Sequence, residues 1–193
     1  TYNEKHNFLN GENGRDGNDN NCSYNYGVEG ETRDEEVREI RNRQAKNFMT
    51  TLILSVGTPM LLGGDEFRRS QMGNNNAYCQ DNPVSWYDYA NVDKYPDVLR
   101  FVKRLIAFRK AHPAFRRPEF FTGRDNNSDN LADVTWFDEL GNVVNWGRQE
   151  GILALRLDGK GLETGHSRDD NDFFMMANAT AYDQLFTIHQ PAG

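Results

Sequence analysis

An amphipathic helix followed at once by a short apolar segment limits the folds open to this chain more than any other pattern. Residues 33–55 carry apolar side chains at helical spacing. Acidic residues 34–36 fill the first turn, where the helix dipole favours anions, and Thr32 is positioned to act as the N-cap. We therefore predict a helix over about residues 33–55.

The segment after this helix has the pattern of a turn and a buried strand. Gly57 and Pro59 stop the helix, and the apolar run 60–62 leads to Asp65 and Glu66. A short apolar run bounded by turn residues is typical of a strand buried in a parallel sheet. Carboxylates beyond the carboxyl end of such a strand lie where α/β barrels place their functional groups. The pattern predicts a parallel α/β sheet or barrel.

The second half of the chain changes in pattern. A second amphipathic helix is predicted from about residue 96 to residue 111, where His112 and Pro113 end it. Beyond a boundary placed near residue 116, short apolar stretches alternate with Gly-, Asn- and Asp-rich turns, which favours an antiparallel β domain. The four predicted strands are Val134–Phe137, Ile152–Leu157, 172–177 and 184–188.

Composition excludes several classes of function. The chain has 193 residues and a formal net charge of −7, which argues against nucleic-acid binding because that binding depends on Lys and Arg neutralising phosphates. No apolar run approaches the roughly 20 residues of a membrane span, so no membrane partner is expected. Cys22 and Cys79 lack CxxC spacing and favour a reducing cytoplasm over a disulfide scaffold or a zinc site.

Residues 1–32 hold much of the Asn- and Gly-rich sequence and predict a long loop. Both residue types accept left-handed backbone, and Asn closes turns with its own side chain. Asp16, Asn18 and Asn20 have the spacing of the first three ligands of a calcium loop, but the Gly and the final Glu of such a loop are missing. A turn closed by its own side chains is the preferred interpretation, and no metal or cofactor is predicted.

Asp65 and Glu66 are adjacent acids, and glycosidases use two carboxyl groups. Neighbours in extended chain point to opposite faces, whereas the two groups of a retaining pair converge to about 5 Å. These two residues are therefore not expected to form the catalytic pair. We expect one carboxylate to accept hydrogen bonds from the surrounding loop and the other to face the mouth of the sheet.

Residues 73–82, GNNNAYCQDN, follow this acid pair closely. Side-chain amides both donate and accept hydrogen bonds, which suits a hydroxyl-rich ligand, and aromatic faces stack on sugar rings. A polar loop that only holds itself together explains the same composition. Both interpretations stay open on these residues alone.

The motifs together resemble bacterial glycogen debranching enzymes of the isoamylase type, in the α-amylase superfamily of glycoside hydrolases. The matching blocks are YNEKHN at 2–7, NGEN at 10–13, RDG at 15–17, YNYGVEG at 24–30, GTPMLLGGDEF at 57–67 and QMGNNNAYCQDN at 71–82. The last block resembles the debranching subgroup specifically, and LIAFRKAHP at 105–113 resembles the final barrel helix. The resemblance is strong over residues 1–117 and weaker beyond.

This resemblance implies an α/β fold. Residues 1–116 would form the C-terminal part of a (β/α)8 TIM barrel, comprising loop 7, helix 7, strand 8 and helix 8. Residues 117–193 would form an incomplete antiparallel β-sandwich domain. Arg68 stands where the family has Gly in its Gly-Asp-Glu-Phe-Gly-Arg run, so the loop backbone is expected to change there.

The resemblance also implies hydrolysis of α-1,6-glucosidic branches in glycogen or limit dextrin by a retaining mechanism. The family's three catalytic carboxylates follow barrel strands four, five and seven, upstream of the blocks matched here. No residue of this chain is therefore assigned a catalytic role, and the chain alone is expected to be inactive. The expected contacts with an α-glucan (glycogen, limit dextrin or malto-oligosaccharide) are Arg15, Asp65, Glu66, Asn75, Tyr78 and Gln80.

Two alternatives to this function stay open. One is another enzyme of the superfamily, trehalose-related or α-1,4-acting. The other is a non-catalytic glucan-binding module built from barrel elements. Two helices and one strand cannot close a barrel. The isolated chain would therefore expose strand edges and apolar surface, and self-association is expected.

Overall fold

A computed structural model describes residues 1–148 and 151–189. The chain divides into two compact units. The N-terminal unit comprises residues 1–54 and 59–107, and the C-terminal unit comprises residues 55–58 with the chain from residue 108. This division rests on contacts and not on barrel membership, so the domains placed at 1–116 and 117–193 stay predictions. In the described parts of the chain, helices long and apolar enough to cross a membrane are absent.

The first long helix, α1 (Glu35–Leu54), confirms the helix predicted over residues 33–55. Its N-cap is not the predicted Thr32. Asp34 Oδ1 accepts hydrogen bonds from two N–H groups of the first turn, at 3.0 and 3.3 Å, whereas Thr32 Oγ1 accepts only from the Asp34 N–H. A carboxylate at this position satisfies free N–H groups and faces the positive end of the helix dipole, so Asp34 is the cap.

The core of the N-terminal unit lies between α1 and the second long helix. A short helix, α2 (Ala90–Lys94), comes first, and α3 (Pro96–Ala111) has the bounds predicted for the second long helix. An ion pair between Lys46 and Asp97, at 2.7 Å, joins α1 to α3 beside this core. The buried apolar side chains are Met49, Ile53, Tyr95, Val98 and Val102.

Residues 60–62, predicted as a buried strand, do not form one. Met60 is 87% exposed and Leu62 is 54% exposed, and Asp65–Phe67 forms a turn of 3-10 helix. A strand depends on hydrogen bonds to a neighbouring strand, and the described part of the N-terminal unit supplies none to pair with. The prediction of a buried strand that ends in two carboxylates is therefore wrong.

The C-terminal unit is built on a three-stranded antiparallel sheet. Its strands β1 (Val134–Phe137), β2 (Ile152–Leu157) and β3 (Phe173–Asn178) lie in that order. β1 and β2 have the predicted bounds, and β3 begins one residue after the predicted 172–177. Val134 faces Leu157 across the first pair, which sets the register of the sheet. The predicted antiparallel β structure is confirmed.

The predicted β-sandwich is a single sheet within the described residues. Residues 184–188, predicted as a fourth strand, are irregular. They are attached by a backbone hydrogen bond from the Thr187 N–H to the Glu139 carbonyl oxygen at 2.8 Å, too little to form a ladder. A short helix, α4 (Gly161–Thr164), lies between β2 and β3.

His112, which with Pro113 was predicted to end the second long helix, is a packing residue. Its ring centroid lies 4.4 Å from that of Phe108 and 4.9 Å from that of Phe173 on β3. Its Nδ1 is 2.8 Å from Asp170 Oδ1, and this contact joins the helix end to the loop before β3.

Candidate functional site

Two Asn-rich loops meet in the N-terminal unit: the first loop, residues 2–30, and the second loop, residues 71–82. Asn7, which is fully buried, joins them. Its Nδ2 donates to the Asp16 carbonyl oxygen (3.0 Å) and to Asn75 Oδ1 (2.8 Å), and its Oδ1 accepts from the Asn75 N–H (3.0 Å). A side-chain amide both donates and accepts, so one Asn supplies hydrogen bonds that these irregular segments lack.

Asn10 is the second link between the two loops. Its Nδ2 donates to Asp16 Oδ2 at 2.7 Å and to the Asn76 carbonyl oxygen at 3.0 Å. Its Oδ1 accepts from Asn74 Nδ2 and from Gln80 Nε2, both at 2.8 Å. We call the contacts made by Asn7 and Asn10 the loop junction.

The Asp16 carboxylate lies at the centre of the loop junction, because Asn76 Nδ2 also donates to its Oδ2 at 2.9 Å. Hydrogen bonds from Asn10 and Asn76 favour the charged form and lower the pKa of Asp16. Close by, Asn18 Oδ1 accepts from the Asn20 N–H at 2.9 Å. This is the turn closed by its own side chains that the sequence favoured over a calcium loop.

Gly17 allows the two loops to approach closely. A Cβ atom at this position would lie 2.1 Å from Asn75 Oδ1 and 2.5 Å from Asn7 Nδ2. The residue also has a φ of +75°, in the left-handed region that favours glycine. Any side chain here would disturb both the backbone and the loop junction.

Glu29 closes the base of the first loop. Its carboxylate accepts from the N–H groups of Asn3 (2.9 Å) and Glu4 (3.0 Å) and from Asn25 Nδ2 (2.8 Å), and it lies 3.1 Å from His6 Nε2. These hydrogen bonds, the one from the Asn3 N–H first, stabilise the charged form and lower the pKa of Glu29 to about 2.

Arg41 attaches the returning end of the first loop to α1. Its side chain is buried, and its guanidinium donates to the carbonyl oxygens of Gly30 (2.5 Å), Asn25 (2.6 Å) and Val28. The fork of guanidinium N–H groups suits several acceptors at once, so a single side chain holds the turn at residues 25–30.

Tyr78 and Arg15, two of the predicted substrate contacts, are exposed. Tyr78 is 82% exposed, and its hydroxyl has no hydrogen bond to any residue that the structure describes. Arg15 is exposed as well, and its Nε makes a long hydrogen bond, 3.4 Å, to the Glu12 carbonyl oxygen. Both side chains remain available for a ligand.

Asn75 and Gln80, also predicted as substrate contacts, lie at the loop junction with their amides engaged. Asn75 Oδ1 accepts from Asn7, and its Nδ2 donates to the Asn18 carbonyl oxygen at 2.8 Å. Gln80 Nε2 donates to the Leu9 carbonyl oxygen at 3.0 Å. These contacts give both residues a part in holding the loops together.

Asp65 and Glu66 have different surroundings. Glu66 Oε2 accepts from the Gly64 N–H at 2.8 Å, the loop contact expected for one of the two carboxylates. Asp65 lines a cleft of about 640 Å³ in the N-terminal unit. Burial raises the pKa of Asp65, the Arg69 guanidinium opposes this rise, and the Glu66 carboxylate adds to it. The cleft is also lined by the amide side chains of Asn21, Gln71, Asn74 and Asn75.

Arg68, the departure from the family pattern, keeps a glycine-like backbone. Its φ of +63° lies in the left-handed region, which favours glycine. The Arg at this position therefore does not adopt the right-handed conformation that is usual for residues with a side chain. Its Nη1 donates to Asn42 Oδ1 at 2.6 Å, and its guanidinium carbon lies 4.1 Å from the centroid of the Tyr95 ring. These contacts hold the side chain in place.

The sequence did not predict which residues link the two loops at the loop junction. Asn7, Asn10, Asn74, Asn76 and Asp16 entered as members of motifs, and Asp16 also as a candidate calcium ligand. Their one signal in the sequence is the density of Asn in two separate segments. Which amides pair depends on how the loops meet, and composition does not contain that information.

The chain is similar in sequence to known proteins over nearly its whole length. No family model matches the chain. It is 41% identical, over 97% of its length, to the glycogen operon protein GlgX homolog of Mycobacterium tuberculosis. It is 38% identical, over 100% of its length, to the glycogen debranching enzyme of Yersinia enterocolitica. The chain spans 27% and 26% of these relatives, about a quarter of each.

Solved structures of a pullulanase from Paenibacillus barengoltzii are similar in fold. The alignment with the apo form has a TM-score of 0.52 at 22% identity. It covers 79% of this chain and 20% of the pullulanase chain. The alignment with the complex that contains maltohexaose and α-cyclodextrin has a TM-score of 0.52 at 23% identity. It covers 77% of this chain and 19% of the pullulanase chain. These structures show a similar fold. By its sequence relatives, the chain belongs to the family of bacterial glycogen debranching enzymes that its motifs resemble.

Proposed function

We propose that this chain is part of a glycogen debranching enzyme that hydrolyses α-1,6-glucosidic branches of glycogen or limit dextrin by a retaining mechanism. The observation that supports this most is the 38–41% identity to glycogen-metabolism proteins over nearly the whole chain, which includes both Asn-rich loops. The catalytic carboxylates would lie in the part of those relatives that this chain does not span.

The loop junction would shape part of the rim that receives the glucan. Buried amides hold the loops in one arrangement, and Tyr78 and Arg15 stay exposed beside them. An aromatic ring stacks on the apolar face of a sugar, and a guanidinium donates to its hydroxyl groups. Asn75 and Gln80 would position this surface, with any sugar contact coming from their remaining acceptor capacity.

Asp65 and Glu66 would support the rim and not perform the chemistry. A retaining pair needs one nucleophile and one proton donor about 5 Å apart, on either side of the scissile bond. Here the two acids are neighbours in one 3-10 turn, and Glu66 is engaged by the Gly64 N–H. Asp65, at the cleft, would accept hydrogen bonds from substrate hydroxyls.

Activity measurements on two lengths of polypeptide test this function. The 193-residue chain should release no reducing ends from glycogen limit dextrin. A polypeptide that also carries the upstream part found in its relatives should release them. Turnover by the 193-residue chain alone would overturn the assignment of catalysis to the upstream part.

Substrate choice distinguishes the proposal from its alternatives. We expect the longer polypeptide to cleave limit dextrin far faster than linear malto-oligosaccharides. Preference for linear chains would identify an α-1,4-acting enzyme, and formation or release of trehalose would identify a trehalose-related one. Glucan binding without turnover would favour a non-catalytic module.

Substitution of Tyr78 tests the proposed rim. Tyr78→Ala in the longer polypeptide should raise KM for limit dextrin about three- to tenfold, the loss expected for one aromatic contact. Tyr182→Ala is a matched control, because Tyr182 is 81% exposed but lies in the C-terminal unit. Equal kinetics for both variants would remove Tyr78 from the proposed site.

Two further proposals concern the state of the chain. Phe48, Met60 and Leu62 are exposed, and such apolar surface favours self-association of the isolated chain. Light scattering should therefore give a mass above that of the monomer. Cys22 and Cys79 are both free and exposed, which suits a cytoplasmic location where thiols stay reduced.

A further inference from the structure

The first loop contains two Asn-Gly pairs, Asn10-Gly11 and Asn13-Gly14. An Asn followed by Gly is prone to deamidation, because glycine has no side chain to hinder the approach of its nitrogen to the amide. We infer that Asn13 is a site of spontaneous deamidation and that the loop junction protects Asn10 from the same reaction. This inference does not depend on the proposed function.

The reaction needs only the chain, water and a base to accept a proton. The Gly14 nitrogen, after losing its proton, attacks the Cγ carbon of the Asn13 amide and forms a new C–N bond. The bond from Cγ to Nδ2 breaks, and ammonia leaves with a proton from solvent. Water then opens the resulting succinimide at either carbonyl and yields Asp or isoAsp at position 13.

Both reacting groups are engaged in the first pair. The Asn10 amide donates to Asp16 and Asn76 and accepts from Asn74 and Gln80 at distances between 2.7 and 3.0 Å. The nucleophile is engaged too, because the Gly11 N–H donates to the Phe8 carbonyl oxygen at 3.3 Å. The amide carbon reaches the Gly11 nitrogen only when these hydrogen bonds break.

Neither reacting group is engaged in the second pair. Asn13 is exposed, and its side chain makes no hydrogen bond to the residues that the structure describes. The Gly14 N–H likewise has no acceptor in that part of the chain. Both residues have positive φ, 51° and 70°. The side chain and backbone of this pair can therefore reach the cyclisation geometry by a local motion.

The two products would differ in their effect. Asp or isoAsp at position 13 adds a negative charge near Arg15 but leaves the loop junction intact. A carboxylate at position 10 would lie against the Asp16 carboxylate, where Asn10 Nδ2 now donates at 2.7 Å. Two like charges at that distance repel and would separate the loops. Protection of Asn10 therefore preserves the junction.

Peptide mapping tests the inference on the intact chain. The protein is incubated at mildly alkaline pH, sampled over time and digested with trypsin, which cleaves after Lys5 and Arg15. The peptide 6–15 contains both Asn residues, and fragmentation in the mass spectrometer assigns each exchange of nitrogen for oxygen to one of them. The same peptide, free in the same buffer, is the unfolded reference.

In the free peptide we expect Asn10 and Asn13 to deamidate at comparable rates. In the folded chain Asn13 should react at a similar rate, and Asn10 at least about tenfold more slowly, because its reaction requires opening of the junction. Comparable rates at both positions in the folded chain would overturn the inference. So would an unmodified Asn13 under conditions that convert the free peptide.

Two variants sharpen the result. Asn13→Gln should remove the early product and leave Asn10 protected. Asn74→Ala, which deletes a donor to Asn10 Oδ1, should accelerate deamidation at Asn10 and leave the rate at Asn13 unchanged. If Asn74→Ala unfolded the chain, Asn10 would react at the free-peptide rate, and the circular dichroism spectrum would change with it. An unchanged Asn10 rate in a folded Asn74→Ala would contradict the proposed protection.

Discussion

In both units, buried polar side chains hold irregular segments of the chain in place, but the chemistry of these side chains differs. At the loop junction of the N-terminal unit, mainly neutral amides do this, with Asn7 as the buried link. In the C-terminal unit a buried charged side chain holds the irregular segment. Asp133, fully buried, accepts from Arg117 Nη2 (3.1 Å) and from the N–H groups of Thr122 and Gly123, both at 2.8 Å.

The difference lies in the cost of losing one partner. An amide left without its partner costs the desolvation of one neutral group, about 1–3 kcal/mol. A buried charge left without its partner costs about 3–5 kcal/mol. The loop junction should therefore weaken step by step as its amides are removed, whereas the cluster around Asp133 should fail at a single residue.

The largest expected effect is that of Asp133→Ala. It leaves the Arg117 guanidinium, whose side chain is 6% exposed, without its carboxylate. We expect the free energy of unfolding to fall by about 3–5 kcal/mol, measured by urea denaturation. Asp169→Ala, which breaks the exposed contact to Lys160, should cost far less, because solvent screens an exposed ion pair. Similar losses for both variants would contradict the difference between the units.

Asn7→Ala should have the next largest effect. It leaves the Asp16 carbonyl oxygen and the Asn75 N–H without their partner inside the loop junction. The expected loss in the free energy of unfolding is about 2 kcal/mol. Asn20→Ala, at an exposed position of the same loop without a positive φ, should change stability by no more than about 0.5 kcal/mol. A neutral Asn7→Ala would show that the junction contributes little.

Gly17→Ala should cost somewhat less, about 1–2 kcal/mol, because Ala at positive φ is strained and its Cβ crowds Asn75. Gly11→Ala separates the two causes. Gly11 has a similar φ of +80°, but no atom lies within 4 Å of the position that a Cβ would take there. Faster hydrogen exchange in the loops of Gly17→Ala, and not in those of Gly11→Ala, would assign the difference to crowding.

The smallest effect concerns pH and Glu29. Its pKa in the folded chain is about 2, below the 4.5 of the free group, so its stabilising contribution is complete above pH 4.5 and is lost as the pH falls towards 2. Glu29→Gln removes this titration. The stability difference between the native chain and this variant should therefore shrink from pH 6 to pH 3, and a constant difference would contradict the role of the charge.

The sequence predicted the elements whose cause is local. The bounds of α3, β1 and β2 were predicted because helical and strand periodicity, stop signals and turn residues all lie within each element. The segment at 60–62 has the composition of a strand as well. The prediction of a strand there was wrong because a strand also requires a neighbouring strand to pair with, and composition does not show whether one is present.

The two Asn-rich loops were predictable as loops, but the contacts between them were not. Both Asn-rich loops stood out by composition, and Tyr78 and Arg15 are exposed as a ligand contact requires. The engagement of Asn75 and Gln80 was not visible, because their partners lie far away in the chain. Asn7 and Asn75 are 68 positions apart, and Gln80 and Leu9 are 71 apart.

The sequence by itself determined the two long helices, the antiparallel strands, the polar loops and the family to which the chain belongs. These follow from periodicity, capping residues and motifs, which act over a few neighbouring residues. Only the tertiary structure decided which amides pair, which Asn-Gly pair is protected and which predicted strand does not form. Those outcomes depend on hydrogen bonds between distant segments, and such bonds exist only once the chain has folded.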